Sequence, residues 1–366
     1  MAKNKKILIL VTALDIGGME MALLKTLPKL KKHVDCRVCC IKGRWPIGTM
    51  LEEQGVPVYY LDLKKIYNIG FIIRFRKLIN DFKPEVLSTY LIHPNLFGRI
   101  FGRIFGIKKI ICNERGALLQ WEFLRKYDRL TKKFVSHYTV QTETARKETA
   151  KILGLSEKKF TVIPNIIDIK TFDFSLDKEN KKKKLKINPN NLNITCLARL
   201  RKGKGHEYLL EAFENIYKDK KNINLLLVGD GEEEERLKSL IKKYKSKKNI
   251  YFLGIRKDVA QILNISDIFT LPTLSEGMSN AILEAMASGL PIVTTDIDVN
   301  KELIKHNENG LLVPVEDSLS LESAIRKLIK DKVLCKRLGN NAKETIIKNF
   351  DSDIIIKKIV KLYNSI

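Results

Sequence analysis

Short apolar runs alternate with longer amphipathic segments along most of this chain, and any fold it adopts must satisfy that alternation. In the first half the runs are ILILVTA (Ile7 to Ala13), VCCI, VPVYYL, VLSTYL, KIIC, YTVQT and FTVIP. Helical stretches separate most of them, the first carrying Leu23, Leu24, Leu27 and Leu30. Runs this short and this apolar suit strands covered on both faces, so the pattern predicts a parallel sheet wound with helices on either side. Pro28 predicts a kink or an early stop in the first helix.

A polar, basic stretch from about Asp173 to Asn190 interrupts the rhythm, and NITCLA (Asn193 to Ala198) restarts it. A helix through Leu209, Leu210, Phe213, Ile216 and Tyr217 follows, then strand INLLLVG, a helix over Glu233 to Tyr244, strand IYFLG, a short helix near Ala260 and strand IFTLP. At 366 residues the chain exceeds what one core organises. The reading is α/β, two doubly wound Rossmann-like domains over 1–168 and 169–350 facing a central cleft. The closing segment 351–366, amphipathic from Ile354 to Tyr363, fits against either domain and is assigned to the first.

With 44% hydrophobic and 30% charged residues, the composition is that of a folded soluble chain. No apolar run is long enough to span a bilayer. The basic start before Ile7 superficially suggests a signal peptide, but no small-residue cleavage site follows and the run ends at Asp15, so a core strand is the better reading. Cys36, Cys39, Cys40, Cys112, Cys196 and Cys335 lack zinc spacing and read as buried cytosolic thiols. A net charge of +25 fits a lysine-decorated surface or an anionic membrane. Runs such as Lys181 to Lys184 and Lys242 to Lys248 have no interleaved aromatics, which argues against nucleic acid.

Glu276 and Glu284, eight positions apart in LPTLSEGMSNAILEAMASGLPIV, bracket a strand-to-helix turn. The strand Ile268 to Leu271 ends at Pro272, and a helix runs from about Asn280 until Gly289 and Pro291 stop it. Glu276 therefore stands at a strand's C-terminal edge, where open α/β sheets bind ligands. Glu284 lies a turn into the helix, and the backbone N–H groups near Ser279 and Asn280 offer an anion site. Arg199 and Lys204 follow strand NITCLA, placing two cations at the same kind of edge.

The turn after the first strand has only Gly17 and Gly18 in place of G-x-G-x-x-G, which argues against a nicotinamide cofactor while allowing close backbone approach to a ligand. RLRKGKGHE fails the spacing of a nucleoside-triphosphatase loop. Asp296 to Asp298 and Asp351 to Asp353 are acidic triplets, but no metal or cofactor is expected, because Arg199 and Lys204 can neutralise a diphosphate. His93, after strand Val86 to Tyr90, fits a catalytic role or a plain helix-start position equally.

Together these segments resemble the retaining glycosyltransferases of family 4, which have the two-domain GT-B fold. The resemblance spans IGGMEMALLKTL, FTVIPNIIDIKTF, ARLRKGKGHEYLLEAF, LLLVGDGEEEERL, the long stretch from FLGIRKDV to IVTTD, and NGLLVPVED. It implies that Arg199 and Lys204 bind the donor diphosphate, Glu276 lies against the donor sugar and Glu284 bonds the ribose. By the same resemblance Gly277, Met278, Ser279 and Asn280 line the donor, Ile255 and Arg256 lie near the base, and Gly17 and Gly18 approach the reaction centre.

Two departures fall on the acceptor side. Many members carry a histidine where this chain has Asn113, Glu114 and Arg115 after KIIC, so that role passes to one of these or to His93. The usual N-G-V-D turn reads Asn165, Ile166, Ile167, Asp168. The partners that the resemblance implies are a nucleotide sugar, expected to be a UDP-sugar, and a saccharide or lipid-linked saccharide of cell-envelope polysaccharide or glycolipid synthesis. The basic and aromatic stretches FIIRFRK and WEFLRKYDRLTKKF suggest a cytoplasmic enzyme, peripheral on the inner membrane face. A nucleotide-sugar 2-epimerase of the same fold, or a basic nucleic-acid-binding protein, are the alternatives.

Overall fold

The computed structural model describes residues 5–63, 69–115, 125–174 and 177–366. Two compact units emerge, one of residues 1–166 with 352–366 and one of residues 167–351. Each is a doubly wound α/β sheet, and among the described residues every strand pairing within the sheets is parallel.

The first unit runs β1 (Lys6–Val11), α1 (Gly18–Leu30), β2 (Asp35–Cys40), α2 (Pro46–Glu53), β3 (Val58–Tyr60), α3 (Gly70–Phe82) and β4 (Val86–Tyr90). It continues through α4 (Ile92–Ile104), β5 (Lys109–Asn113), α5 (Arg125–Thr131), β6 (His137–Val140), α6 (Glu143–Leu153) and β7 (Phe160–Val162). Its strand order is β3-β2-β1-β4-β5-β6-β7. Strands β1 and β4 are buried almost throughout because helices cover both faces, which is why they read as continuous apolar runs.

The second unit runs α7 (Lys178–Lys184), β8 (Leu192–Leu197), α8 (His206–Asp219), β9 (Ile223–Val228), α9 (Glu234–Ile241), β10 (Ile250–Phe252) and α10 (Val259–Asn264). Then come β11 (Ile268–Leu271), α11 (Asn280–Ala287), β12 (Ile292–Thr295), α12 (Asp298–Leu303), β13 (Leu311–Val313), α13 (Ser318–Lys330) and α14 (Lys332–Asn349). Its order, β10-β9-β8-β11-β12-β13, reverses between β8 and β11. That reversal leaves the loops after β8 and β11 diverging to opposite faces and opens a crevice at their C-terminal ends.

The final helix, α15 (Ser352–Ser365), belongs to the first unit. Ile355, Ile356, Ile359, Leu362 and Tyr363 join the core layer that contains α1 and α2, and Tyr363 donates its hydroxyl to Ser88 on β4 at 3.1 Å. α3, α4 and α6 pack on the opposite layer. Among the described residues no helix is long and apolar enough to cross a membrane.

Two local expectations need correction. Pro28 does not stop α1, which runs on to Leu30; in the last turn the missing N–H costs one bond near an end that frays in any case. Lys181, expected to be a solvated surface charge, forms an ion pair with Asp258 and donates to Gln261 Oε1 at 2.6 Å, in a helix that Asp177 caps. The cysteines are buried except Cys335, which is half-buried.

Ile355 is fully buried in the first unit's core. Ile355→Ala should destabilise that unit by about 2–4 kcal/mol. Hydrogen exchange should show the lost protection in β1 and β4 and leave β8 to β12 unchanged.

Candidate active site

The second unit's crevice is built by two loops that approach each other more closely than side chains would permit. Gly205, at φ +70°, ends the loop after β8, and a Cβ there would lie 1.9 Å from the Pro272 carbonyl oxygen at the end of β11. Leu274 N–H donates to the Gly203 carbonyl at 2.9 Å, and Thr273 Oγ1 to the same oxygen at 3.2 Å. Thr295 at the end of β12 donates its hydroxyl to the Thr273 carbonyl, so the β11–α11 loop is held from both sides.

This tie brings Lys204 to Glu276. Lys204 Nζ donates to Glu276 Oε1 at 2.6 Å, with the two side chains only 10% and 14% exposed. Both also act on the Cys196 thiol, which burial raises to about 12 while Lys204 lowers it and Glu276 raises it. Next along the chain, His206 is buried at the start of α8; burial first, then Lys204, push it down to about 4, so its ring is neutral at physiological pH. Arg199 opens the same loop with its side chain exposed.

α11 starts within this loop system. Ser279 caps it, its hydroxyl accepting from Ile282 N–H at 3.3 Å. The helix is apolar and largely buried except for Glu284, its one charged residue, half-buried one turn in. Gly277 and Met278 complete the turn, and Asn280 is the first helical residue. The first-turn amides and the dipole favour an anion here.

Residues Ile255 and Arg256 follow β10, whose end is tied to β9 by Gly229 N–H donating to the Gly254 carbonyl at 2.9 Å. Ile255 is 70% exposed. The Arg256 guanidinium is committed to Asp258 by two bonds of 2.8 Å, and these bonds with the Lys181 ammonium hold the Asp258 carboxyl well below the carboxylate range. Arg256 therefore offers backbone, not a spare charge, to a ligand beside this loop. Of the acidic triplets, Asp298 and Asp296 lie 3.5 and 3.9 Å from the Lys301 ammonium.

In the first unit, Gly17 and Gly18 open α1 after β1, and His93 stands exposed in the first turn of α4 after β4. These two loops flank that sheet's own reversal, between β1 and β4. Asn113 is turned into the structure, its amide donating to Ser88 Oγ and the Thr89 carbonyl at 2.9 Å and accepting from Thr139 Oγ1 at 2.6 Å. Arg115 donates to Asn165 Oδ1 at 2.7 Å and lies over the Tyr90 ring, so the altered N-I-I-D turn anchors it.

Glu114 differs from both. Asn95 Nδ2 donates to its Oε1 at 2.8 Å, and the Arg99 guanidinium, fully buried, lies 3.7 Å away. Arg99 is already paired with Asp128 on α5, so Glu114 receives only part of its charge. Burial dominates and raises Glu114 to about 7, with Arg99 opposing and Asp128 assisting. Asn95, Arg99 and Asp128 were not among the residues expected at this site. The available signal was an arginine between Gly98 and Gly102, at the helical spacing of Asn95 and Gly98, on the side of α4 that is buried.

Comparison with known proteins identifies the family. Residues 16–171 match the family model described as Glycosyltransferase Family 4, and residues 177–345 match Glycosyl transferases group 1. The chain belongs to this glycosyltransferase family and is an enzyme of that class, with the GT-B fold. It is 29% identical over 365 residues to UDP-Gal:alpha-D-GlcNAc-diphosphoundecaprenol alpha-1,3-galactosyltransferase of Escherichia coli, covering 95% of this chain and 94% of that one. It is 30% identical over 235 residues to N,N'-diacetylbacillosaminyl-diphospho-undecaprenol alpha-1,3-N-acetylgalactosaminyltransferase of Campylobacter jejuni, covering 63% and 61%. The crystal structure of Anabaena Alr3699/HepE in complex with UDP and glucose superposes with a TM-score of 0.88 at 21% identity, over 99% of this chain and 100% of that one, a likeness of fold.

A carboxyl raised in the folded state retains its proton where the unfolded chain has lost it. Glu114 thus contributes stability that is fully present below its unfolded value of 4.5 and falls as pH rises towards about 7. Glu114→Gln should remove that fall, gaining about 3 kcal/mol on wild type as pH rises from 4.5 to about 7 and no more above it. Urea denaturation across the range measures it; a constant difference would mean the carboxylate is ionised throughout.

Proposed function

We propose that this enzyme transfers a sugar from a UDP-sugar to a hydroxyl of a saccharide linked through diphosphate to a lipid, in cell-envelope synthesis, with retention of configuration. The Lys204–Glu276 pair beside the start of α11 carries the reading. Support for the nucleotide and the acceptor comes from the two relatives named after undecaprenol-diphosphate saccharides and from the Anabaena protein's complex with UDP and glucose.

In this reading the ion pair holds the site's charges in balance until donor arrives. The diphosphate takes the Lys204 ammonium, with Arg199 and the amides at Ser279 and Asn280 adding donors, and Glu276 is released to bond the sugar hydroxyls. Gly277 and Met278 line the same turn, Glu284 bonds the ribose, and the backbone at Ile255 and Arg256 flanks the base. Gly17 and Gly18, at the first unit's own β1–α1 turn, permit close backbone approach to a ligand there.

The bond from C1 to the diphosphate oxygen breaks, the acceptor oxygen bonds C1 from the same face, and its proton passes to the departing phosphate. Glu276 orients and requires no covalent sugar intermediate, unlike the nucleophilic carboxylate of retaining glycoside hydrolysis. Lys204 and Arg199 supply charge neutralisation without a divalent ion, so turnover should persist in chelator. On the acceptor side, His93 stands exposed in the first turn of α4, whereas Asn113, Glu114 and Arg115 are each held by side-chain partners. With a membrane-borne acceptor, the enzyme works peripherally at the cytoplasmic face.

Lys204→Ala should raise the barrier by about 1.5–3 kcal/mol, tenfold to a hundredfold in rate, and Arg199→Ala should act in the same direction. Normal turnover in both would remove them from the reaction. Glu284→Ala should weaken UDP binding in calorimetry, while Glu276→Ala should abolish transfer and leave UDP binding nearly intact; the reverse pattern would exchange their roles. Incubating UDP-sugars with undecaprenyl-diphosphate saccharides and following anomeric protons by NMR tests the reaction itself. Conversion of donor without acceptor would show an epimerase.

A further inference from the structure

Six of the fifteen exposed large hydrophobic side chains among the described residues lie on three neighbouring helices of the first unit. Ile69 and Ile73, at the start of α3, are 68% and 63% exposed; Ile100 and Ile104 on α4 are 40% and 66%; Tyr127 and Leu130 on α5 are 56% and 70%. Each pair is spaced three or four residues apart, so each occupies one side of its helix. On α3 and α4 that side is opposite the buried one, which carries Phe75, Leu78, Ile79 and Phe82 on α3 and Asn95, Gly98, Arg99 and Gly102 on α4.

The helices are packed in sequence order. Phe71 and Phe75 of α3 pack in tilted contact against Phe97 of α4, with ring centroids 5.4 and 5.0 Å apart. α4 meets α5 through the Arg99–Asp128 ion pair. The apolar pairs thus lie on adjacent helices, facing away from the buried side on α3 and α4 and flanking the buried Asp128 on α5, whereas the exposed apolar residues of the second unit are distributed over several elements.

Cations border this layer. Arg76 and Lys77 on α3, Arg129 on α5 and Lys133 just beyond it are exposed, and Arg103 and Lys132 are partly so. Among the described residues none of them is ion-paired with a carboxylate, and Asp81 is the one exposed acid on the three helices. Residues 121–124 of the stretch WEFLRKYDRLTKKF, which the sequence reading associated with a membrane, lie outside the described residues.

We propose that this α3–α4–α5 face is a docking surface for an anionic lipid bilayer. Exposed isoleucine and leucine enter the boundary between headgroups and acyl chains, while arginine and lysine tips reach lipid phosphates. The charge selects this occupant. A second copy of the face would oppose cation to cation, and a nucleic acid would find one aromatic ring, Tyr127, for stacking. The inference extends the peripheral location in the proposed function, and it assigns that location to one surface outside the donor site.

Co-sedimentation with vesicles of phosphatidylglycerol and phosphatidylcholine tests it, with pure phosphatidylcholine as reference and uridine diphosphate calorimetry on every variant. Wild type should bind the anionic vesicles and not the neutral ones, the more so at low salt. The variant Ile73→Glu, Ile104→Glu, Leu130→Glu should lose at least tenfold in partition. Arg76→Gln, Lys77→Gln, Arg129→Gln should lose about fivefold per cation at low salt. The control Leu319→Glu, Val333→Glu, Ile347→Glu makes the same charge change on exposed positions of the second unit and should retain most binding.

Wild-type protein that stays in solution at low salt, or a control that loses as much as the patch variant, would overturn the proposal. So would a wild-type dimer in sedimentation velocity that the patch variant converts to monomer. Vesicle binding without sugar transfer would instead defeat the proposed reaction and leave the surface standing.

Discussion

The ion pair between Lys204 and Glu276 exists because two backbone segments touch where a methyl group would not fit. Gly205 lies against the Pro272 carbonyl, and hydrogen bonds from Leu274 and Thr273 to the Gly203 carbonyl fasten the loop after β8 to the loop after β11. A cation and a carboxylate from residues far apart in sequence are thereby fixed in a partly dry crevice. In such a place each charge matters more than it would at the surface. Desolvating either alone would be costly, so the pair also keeps the crevice charge-balanced.

Much of this was legible in the residues. The strands could be read because helices cover both faces of each sheet and leave apolar runs such as ILILV and INLLLV. The turn holding Glu276 and Glu284 was legible because Pro272, Ser279, Gly289 and Pro291 each act locally. What was hidden depends on long-range packing. Lys181 looked like one more solvated lysine because its partners, Asp258 and Gln261, come from a distant loop and helix. Pro28 looked disruptive, but its place in the last turn makes the loss small.

The first unit shows the same limit more sharply. Three adjacent residues, Asn113, Glu114 and Arg115, were equivalent candidates on the page, yet each meets different surroundings. Asn113 stitches β4 to β6, Arg115 is held by the Asn165 side chain, and Glu114 shares a buried arginine with an acid from α5. Spacing cannot distinguish them, because the distinction lies in which neighbours have already spent the available donors.

The chain leaves the first unit at residue 166, builds the whole of 167–351, and returns for α15. Five side chains of the first unit's interior come from that returning helix. During synthesis, then, the earlier sheet must wait for α15, made only after the whole of the later one, before its interior is filled, whereas the later sheet can close without it. Order of translation and order of completion are reversed in this molecule, and the apolar flank awaiting α15 is the part of the nascent chain most in need of protection from aggregation.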